Sequence, residues 1–193
     1  MVAAARRTVR RSRLTAIGCV TGHPSVDRRR VAVPKREPYP LNESQQRTWL
    51  NYMRVYHRLE YEMNRQLLAD SNVSLGDYTV MNALSQAPGR RAQLTNLATT
   101  IGWERSRLSH HLQRMTGRGL VERVKSDTDG RATDAVLTAA GWRELRAAAP
   151  AHAAWVAQAF FADLDPAQET ALADALAVVY ESLLRHGTLP RPD

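Results

Sequence analysis

Between Arg105 and Arg118 the chain carries a polar, mostly cationic series: Arg105, Ser106, Arg107, Ser109, His110, Gln113, Arg114 and Arg118. Guanidinium, hydroxyl, amide and imidazole groups at this density can read the donor and acceptor pattern of base edges or hold phosphate. They do not form a catalytic constellation. No carboxylate pair is singled out by a motif, and the sequence has no Gly-rich phosphate loop, zinc-protease motif or nucleophile elbow. His110 and His111 are adjacent, so on a helix they point about 100° apart and cannot chelate one ion. His23, His57, His152 and His186 have no paired spacing. Neither an enzyme, a metal site nor a cofactor is expected.

The elements that would position this series follow from periodicity. Leu108, Leu112 and Met115 fall on one helical stripe, which leaves Ser106, His110, Gln113 and Arg114 opposite, flanked by Arg107 and Ser109. Before this helix, Leu94, Leu97 and Ile101 mark a shorter one, and Gly102 can take the positive φ that ends it. Glu104 suits the positive dipole end of the second helix but is not a usual N-cap residue. Arg118-Gly119 closes that helix. Leu120 to Val124 alternates as a strand, Ser126 to Gly130 is turn chemistry, and Ala135-Val136-Leu137 returns. The whole predicts a helix-turn-helix followed by a two-stranded β-wing, with Arg131 just past the wing tip. In this reading Ser106, Arg107, Ser109, His110 and Arg114 face the major groove, with Arg107 as the guanine reader. Arg105 and Arg118 contact phosphate, Arg131 enters or borders the minor groove, and Asp129 orients the wing or pairs with an arginine.

Charge is distributed to match. The net charge is +8. Outside the N-terminal tail, positive charge concentrates in residues 90–131, whereas residues 37–89 and 132–193 are each net negative. That is the electrostatic footprint of a nucleic-acid-binding face. Residues 1–40 are Arg-rich and interrupted by Pro34, Pro38 and Pro40, and read as a disordered basic tail. It is either a non-specific DNA arm, a dispensable extension, or translation from a start upstream of the true one. Cys19, the one cysteine, lies in this tail, too far ahead of the first helix to suggest thiol sensing. No apolar run is long enough to span a membrane, and a cytoplasmic protein is expected.

In order and spacing, Arg118-Gly119-Leu120-Val121-Glu122-Arg123, Asp129-Gly130-Arg131 and Leu137-Thr138-Ala139-Ala140-Gly141 resemble the MarR family of bacterial transcription regulators, over about residues 42–185. The resemblance implies a homodimer on a roughly palindromic double-stranded DNA operator, often released by a small ligand.

The flanking segments read as helices. Asn42 can cap one running to about Leu68, with Trp49, Tyr52, Met53, Tyr56, Leu59, Met63 and Leu67 at spacings of three and four. A second runs over about 74–86. It is followed by Arg90 and Arg91, which either touch phosphate or sit solvated in a turn. Thr138 can cap a long helix, kinked at Pro150 or split there in two. Asp165-Pro166-Ala167-Gln168 starts the last one, with Leu172, Leu176, Val179 and Leu183 on a face. The resemblance assigns the first and last helices to dimerisation. Trp49, Tyr52, Tyr56 and Trp155 either line a cavity for a small aromatic ligand or pack as core.

The expected fold is therefore mainly α with a small β-hairpin wing. A basic tail (1–40) precedes a dimerisation helix (41–70), a winged helix-turn-helix domain (71–138) and C-terminal dimerisation helices (139–193). The expected function is that of a dimeric regulator, a repressor by preference. The alternative is a winged helix that binds protein, but a polar recognition face lacks the apolar anchors such interfaces centre on.

Overall fold

The computed structural model describes residues 41–127 and 130–192. The basic tail, with Cys19, lies outside the described residues, as do Thr128 and Asp129 at the wing tip.

Helix starts are set locally. In α1 (Glu43–Ser71) the Asn42 side chain accepts from the Gln45 amide at 2.9 Å, and Gln45 accepts from the Asn42 amide in return. Ser74 and Asp77 form the same reciprocal box at the start of α2 (Leu75–Gln86). Asn64 of α1 also accepts from the Leu75 amide, tying the two helices together. After a 3₁₀ turn at Pro88–Arg90 come β1 (Arg91–Gln93), α3 (Leu94–Thr100), α4 (Arg105–Gly117), β2 (Val121–Lys125) and β3 (Thr133–Leu137). Gly102, at φ +68°, makes the turn between α3 and α4, and Gly119, at φ +72°, follows α4. Thr138 caps α5 (Ala139–Val156), and Asp165, Pro166 and Gln168 open α6 (Pro166–His186) as their pattern predicts.

One expectation needs revising. The wing is the distal part of a three-stranded antiparallel sheet of order β1-β3-β2, not a hairpin alone. β1 is only three residues long, and its partner Asp134 to Val136 lies far along the chain, so no local alternation reveals it. Of the two arrangements expected around Pro150, α5 takes the single helix, and a π-turn follows it over Ala157–Phe161. Pro150 and Arg146, whose carbonyl loses its partner, are both on the exposed side, where solvent can bond it.

The core sits under the winged helix. Val80, Met81 and Leu84 of α2, Leu94 and Leu97 of α3, Leu108, Leu112 and Met115 of α4, Val121, Leu137 and Leu145 form one buried cluster. α1 packs against α2 and α5, yet its first half is exposed. Among the described residues of α6, none is buried.

Candidate nucleic-acid interface

α4 is amphipathic for a packing reason. Leu108, Leu112 and Met115 are fully buried, which turns Ser106, Arg107, His110, Gln113 and Arg114 to solvent, with Ser109 half-buried beside them. Arg105 is exposed in the first turn. Glu104 occupies the N-cap position with no side-chain cap, so the leading amides of α4 are not closed off by a side-chain acceptor. Arg131 is exposed on the wing, and Asp129 falls outside the described residues.

Two arginines of the face are held by neighbours. The Arg107 guanidinium lies 4.2 Å above the Trp103 ring instead of projecting freely from the helix. Arg114 donates from Nη2 to His111 Nδ1 at 2.9 Å. Because arginine can only donate, Nδ1 must accept, and the ring proton sits on Nε2. That nitrogen lies 2.9 Å from Asp77 Oδ1. His111 is thus a buried strut between α2 and α4. Its edge also meets Trp103.

Asp77 is the hub that the spacing did not reveal. Buried on α2, it accepts from the Ser74 amide, faces His111, and takes Arg118 Nη1 at 2.5 Å. Arg118 also donates to the Asn72 carbonyl at 3.1 Å. Arg118, expected on phosphate, is exposed, and its guanidinium ties the C-terminal end of α4 to the start of α2. Burial disfavours the Asp77 carboxylate, but the hydrogen bonds from His111, Arg118 and Ser74 outweigh it and hold its pKa well below the ordinary range. Asp77 was legible only as the partner of Ser74 in a capping box. Its link to Arg118 spans too much chain for any local pattern to show.

The close approach of α2 to α4 requires Gly76. A Cβ there would stand 2.9 Å from His111 Cε1 and 3.2 Å from Trp103 Cη2. In front of this contact lies a cleft of about 330 Å³, lined among others by Glu60 and Asn64 of α1 and by Trp103, Arg107, His111 and Arg114. The four aromatic residues expected to line a ligand cavity do not line this cleft. Trp49 stacks on Tyr52 and Tyr52 on Tyr56 along α1, with centroids 5.7 and 6.2 Å apart, and all three are about half exposed. Trp155 stacks on His152 of α5.

The two arginines before α3 are also engaged. Arg90, at φ +55°, lays its guanidinium 4.0 Å above Trp142. Arg91 bonds to Asp134, Asp127 and the Lys125 carbonyl at the root of the wing.

A three-helix core with α4 exposed beside a β-wing, flanked by helical arms, defines a winged helix-turn-helix protein. The MarR family model matches residues 71–132. The chain is similar to Sco3205, a MarR family transcriptional regulator from Streptomyces coelicolor solved in complex with DNA. Identity is 33%, coverage is 81% of this chain and 97% of that one, and the TM-score is 0.73. AbsC, another MarR family regulator from Streptomyces coelicolor, is also 33% identical, over 75% of this chain and 97% of its own, at a TM-score of 0.69. The organohalide-sensing regulator RdhR-CbdbA1625, in its 2,4-dichlorophenol-bound form, shares the fold at 19% identity, 83% and 95% coverage and a TM-score of 0.67. No curated protein matches the chain. The chain belongs to the MarR family of transcriptional regulators and is not an enzyme.

Proposed function

We propose that this regulator is a homodimer that reads a palindromic operator with α4 in the major groove and the wing over the adjacent minor groove, acting as a repressor. One observation carries the DNA reading: the buried stripe of α4 leaves a continuous exposed face of Ser106, Arg107, His110, Gln113 and Arg114, and the wing adds an exposed arginine. That face has donors and acceptors for base edges and no apolar anchor for a protein partner. Dimerisation is supported by the exposed apolar faces of α1 and α6, on which Trp49, Leu50, Val179 and Leu183 are each more than half exposed. Two such chains must hold their α4 helices about 34 Å apart to meet successive major grooves. Repression follows from occupancy, since a dimer seated across an operator excludes other proteins from it.

Arg107 tests the base-reading role. Arg107→Ala should cost about 1–3 kcal/mol on the operator and far less on random duplex. Equal losses on both, measured by titration at fixed salt, would remove Arg107 from base recognition.

Release by a small aromatic ligand is the finer part of this reading. The stacked, half-exposed Trp49, Tyr52 and Tyr56 supply a surface for such a ligand, and one wedged against α1 would change the spacing of the two α4 helices. Ligands that raise the melting temperature yet leave operator affinity unchanged would refute it.

A further inference from the structure

The wing changes support along its length. β1 pairs with β3 only at Asp134, Ala135 and Val136. Beyond that level the hairpin is two-stranded, with Lys125 opposite Thr133 as its last rung and the Ser126 amide bonding the Ala132 carbonyl at 3.0 Å. A two-stranded ribbon is marginally stable by itself in water. The turn that carries Arg131 should therefore pivot at the Asp134 level unless something holds it.

Arg91 is placed to hold it. Rooted on the edge strand β1, its side chain makes one bond to each distal piece. Nε donates to Asp134 Oδ2 of the middle strand at 2.7 Å. Nη2 donates to the Lys125 carbonyl, at the end of the far strand, at 3.0 Å. Nη1 donates to Asp127 Oδ2 in the turn at 2.5 Å. Asp134 is buried, which gives the fork a fixed base, whereas Asp127 is 80% exposed on its side chain and has no comparable anchor. A planar guanidinium holds its three nitrogens in fixed relation, so any rotation of the turn against the sheet must break at least two bonds together. The same contact pairs the Asp127 carboxylate with a cation.

We propose that Arg91 is a positioning residue that sets the stance of the wing, and so the reach of Arg131 to DNA, without touching DNA itself. The second half of this statement rests on the DNA-binding reading above; the clamp does not.

The test has two arms on the full-length chain. In the first, without DNA, hydrogen exchange is followed for Arg91→Ala, Arg91→Lys and Asp127→Asn. The Ser126 amide and its neighbours in residues 124–134 exchange faster in all three, while α4 amides keep their parental rates. Unchanged wing exchange overturns the clamp. In the second arm, operator affinity is measured for Arg91→Ala in the parental chain and in Arg131→Ala. The loss is about tenfold in the first and under about twofold in the second, because Arg91 acts through the wing. Equal losses in both backgrounds, or full recovery by Arg91→Lys, would mean that Arg91 meets phosphate directly and would overturn the proposal. Asp127→Asn separates the two by sign. Removing an acid strengthens binding to DNA if only charge matters, whereas loosening the clamp weakens it. Asp127 is exposed, so this variant folds even if Arg91→Ala does not. A parental chain with no operator preference but with faster wing exchange in the variants would refute the DNA reading and leave the clamp standing.

Discussion

Leu108, Leu112 and Met115 are sealed from solvent in the winged-helix body, while Trp49, Leu50, Tyr52 and Val55 on α1 and Val178, Val179 and Leu183 on α6 stand about half exposed or more. The polar groups divide the same way. In the body, Asp77 gathers Ser74 of its own helix start with His111 of α4 and Arg118 at the C-terminal end of α4, and Arg91 closes the root of the wing. The arms are held by capping boxes and local pairs such as Arg58 with Glu62. The body thus closes its apolar core within one chain. The arms present apolar side chains worth about 1.5–3 kcal/mol each when fully buried, most of it unrealised in the single chain. The same helical periodicity therefore has two outcomes: one face closes a core, the other stays exposed in the single chain, where the proposed dimer would cover it.

This contrast can be broken most severely at the arms. Leu183→Asp should leave the monomer folded, since the side chain is 62% exposed, but should abolish the dimer and lower operator affinity by about 10²–10⁴ through lost bivalency. Sedimentation and titration on the same samples would check both halves. An intact dimer would mean that this face of α6 is not its interface. The same change at Leu112 should prevent folding altogether.

The next largest effect belongs to the body. Asp77→Ala removes a buried acceptor and leaves His111 and Arg118 without their partner, which should cost about 3–5 kcal/mol in urea unfolding. Because the folded-state pKa of Asp77 is depressed, its contribution is fully present at neutral pH. It is lost as pH falls below the ordinary carboxylate value of 3.8. The variant should show a flatter acid limb than the parent.

The smallest effect sharpens the boundary between body and arms. His152 on α5 contacts Tyr78 of α2, and its Nδ1 lies 2.8 Å from Gln66 Oε1 of α1. Gln66 in turn bonds Asp70. Burial pushes the His152 pKa below its ordinary 6.5, so folding favours the neutral ring. Its stabilisation is therefore complete above pH 6.5 and fades as pH falls below it. His152→Gln should flatten the pH dependence of stability below pH 6.5, and the change should be small. An unchanged slope would mean that His152 does not titrate with unfolding.

What could be read from the sequence tracks how local the physics is. Asn42 with Gln45, Asp165 with Gln168, and Gly102 act within a turn or two, and the helix ends fall at these signals. The buried stripe of α4 is equally local. β1 was missed because three residues carry no period and their partner lies on the far side of α3 and α4. The pairs Asp77 with Arg118 and Arg91 with Asp134 have no local signal for the same reason. The stripe from Trp49 to Leu67 was visible, but periodicity does not distinguish an interface from a core. Leu67 is buried within the chain, while Trp49 is not.

The central claim is that the exposed face of α4 reads sequence. The most direct test is affinity for a selected operator against random duplex across a series of salt concentrations. Sequence reading predicts operator binding at least about 10³-fold tighter, with both affinities falling steeply as salt rises. Equal affinity for the two duplexes at every salt concentration would contradict it.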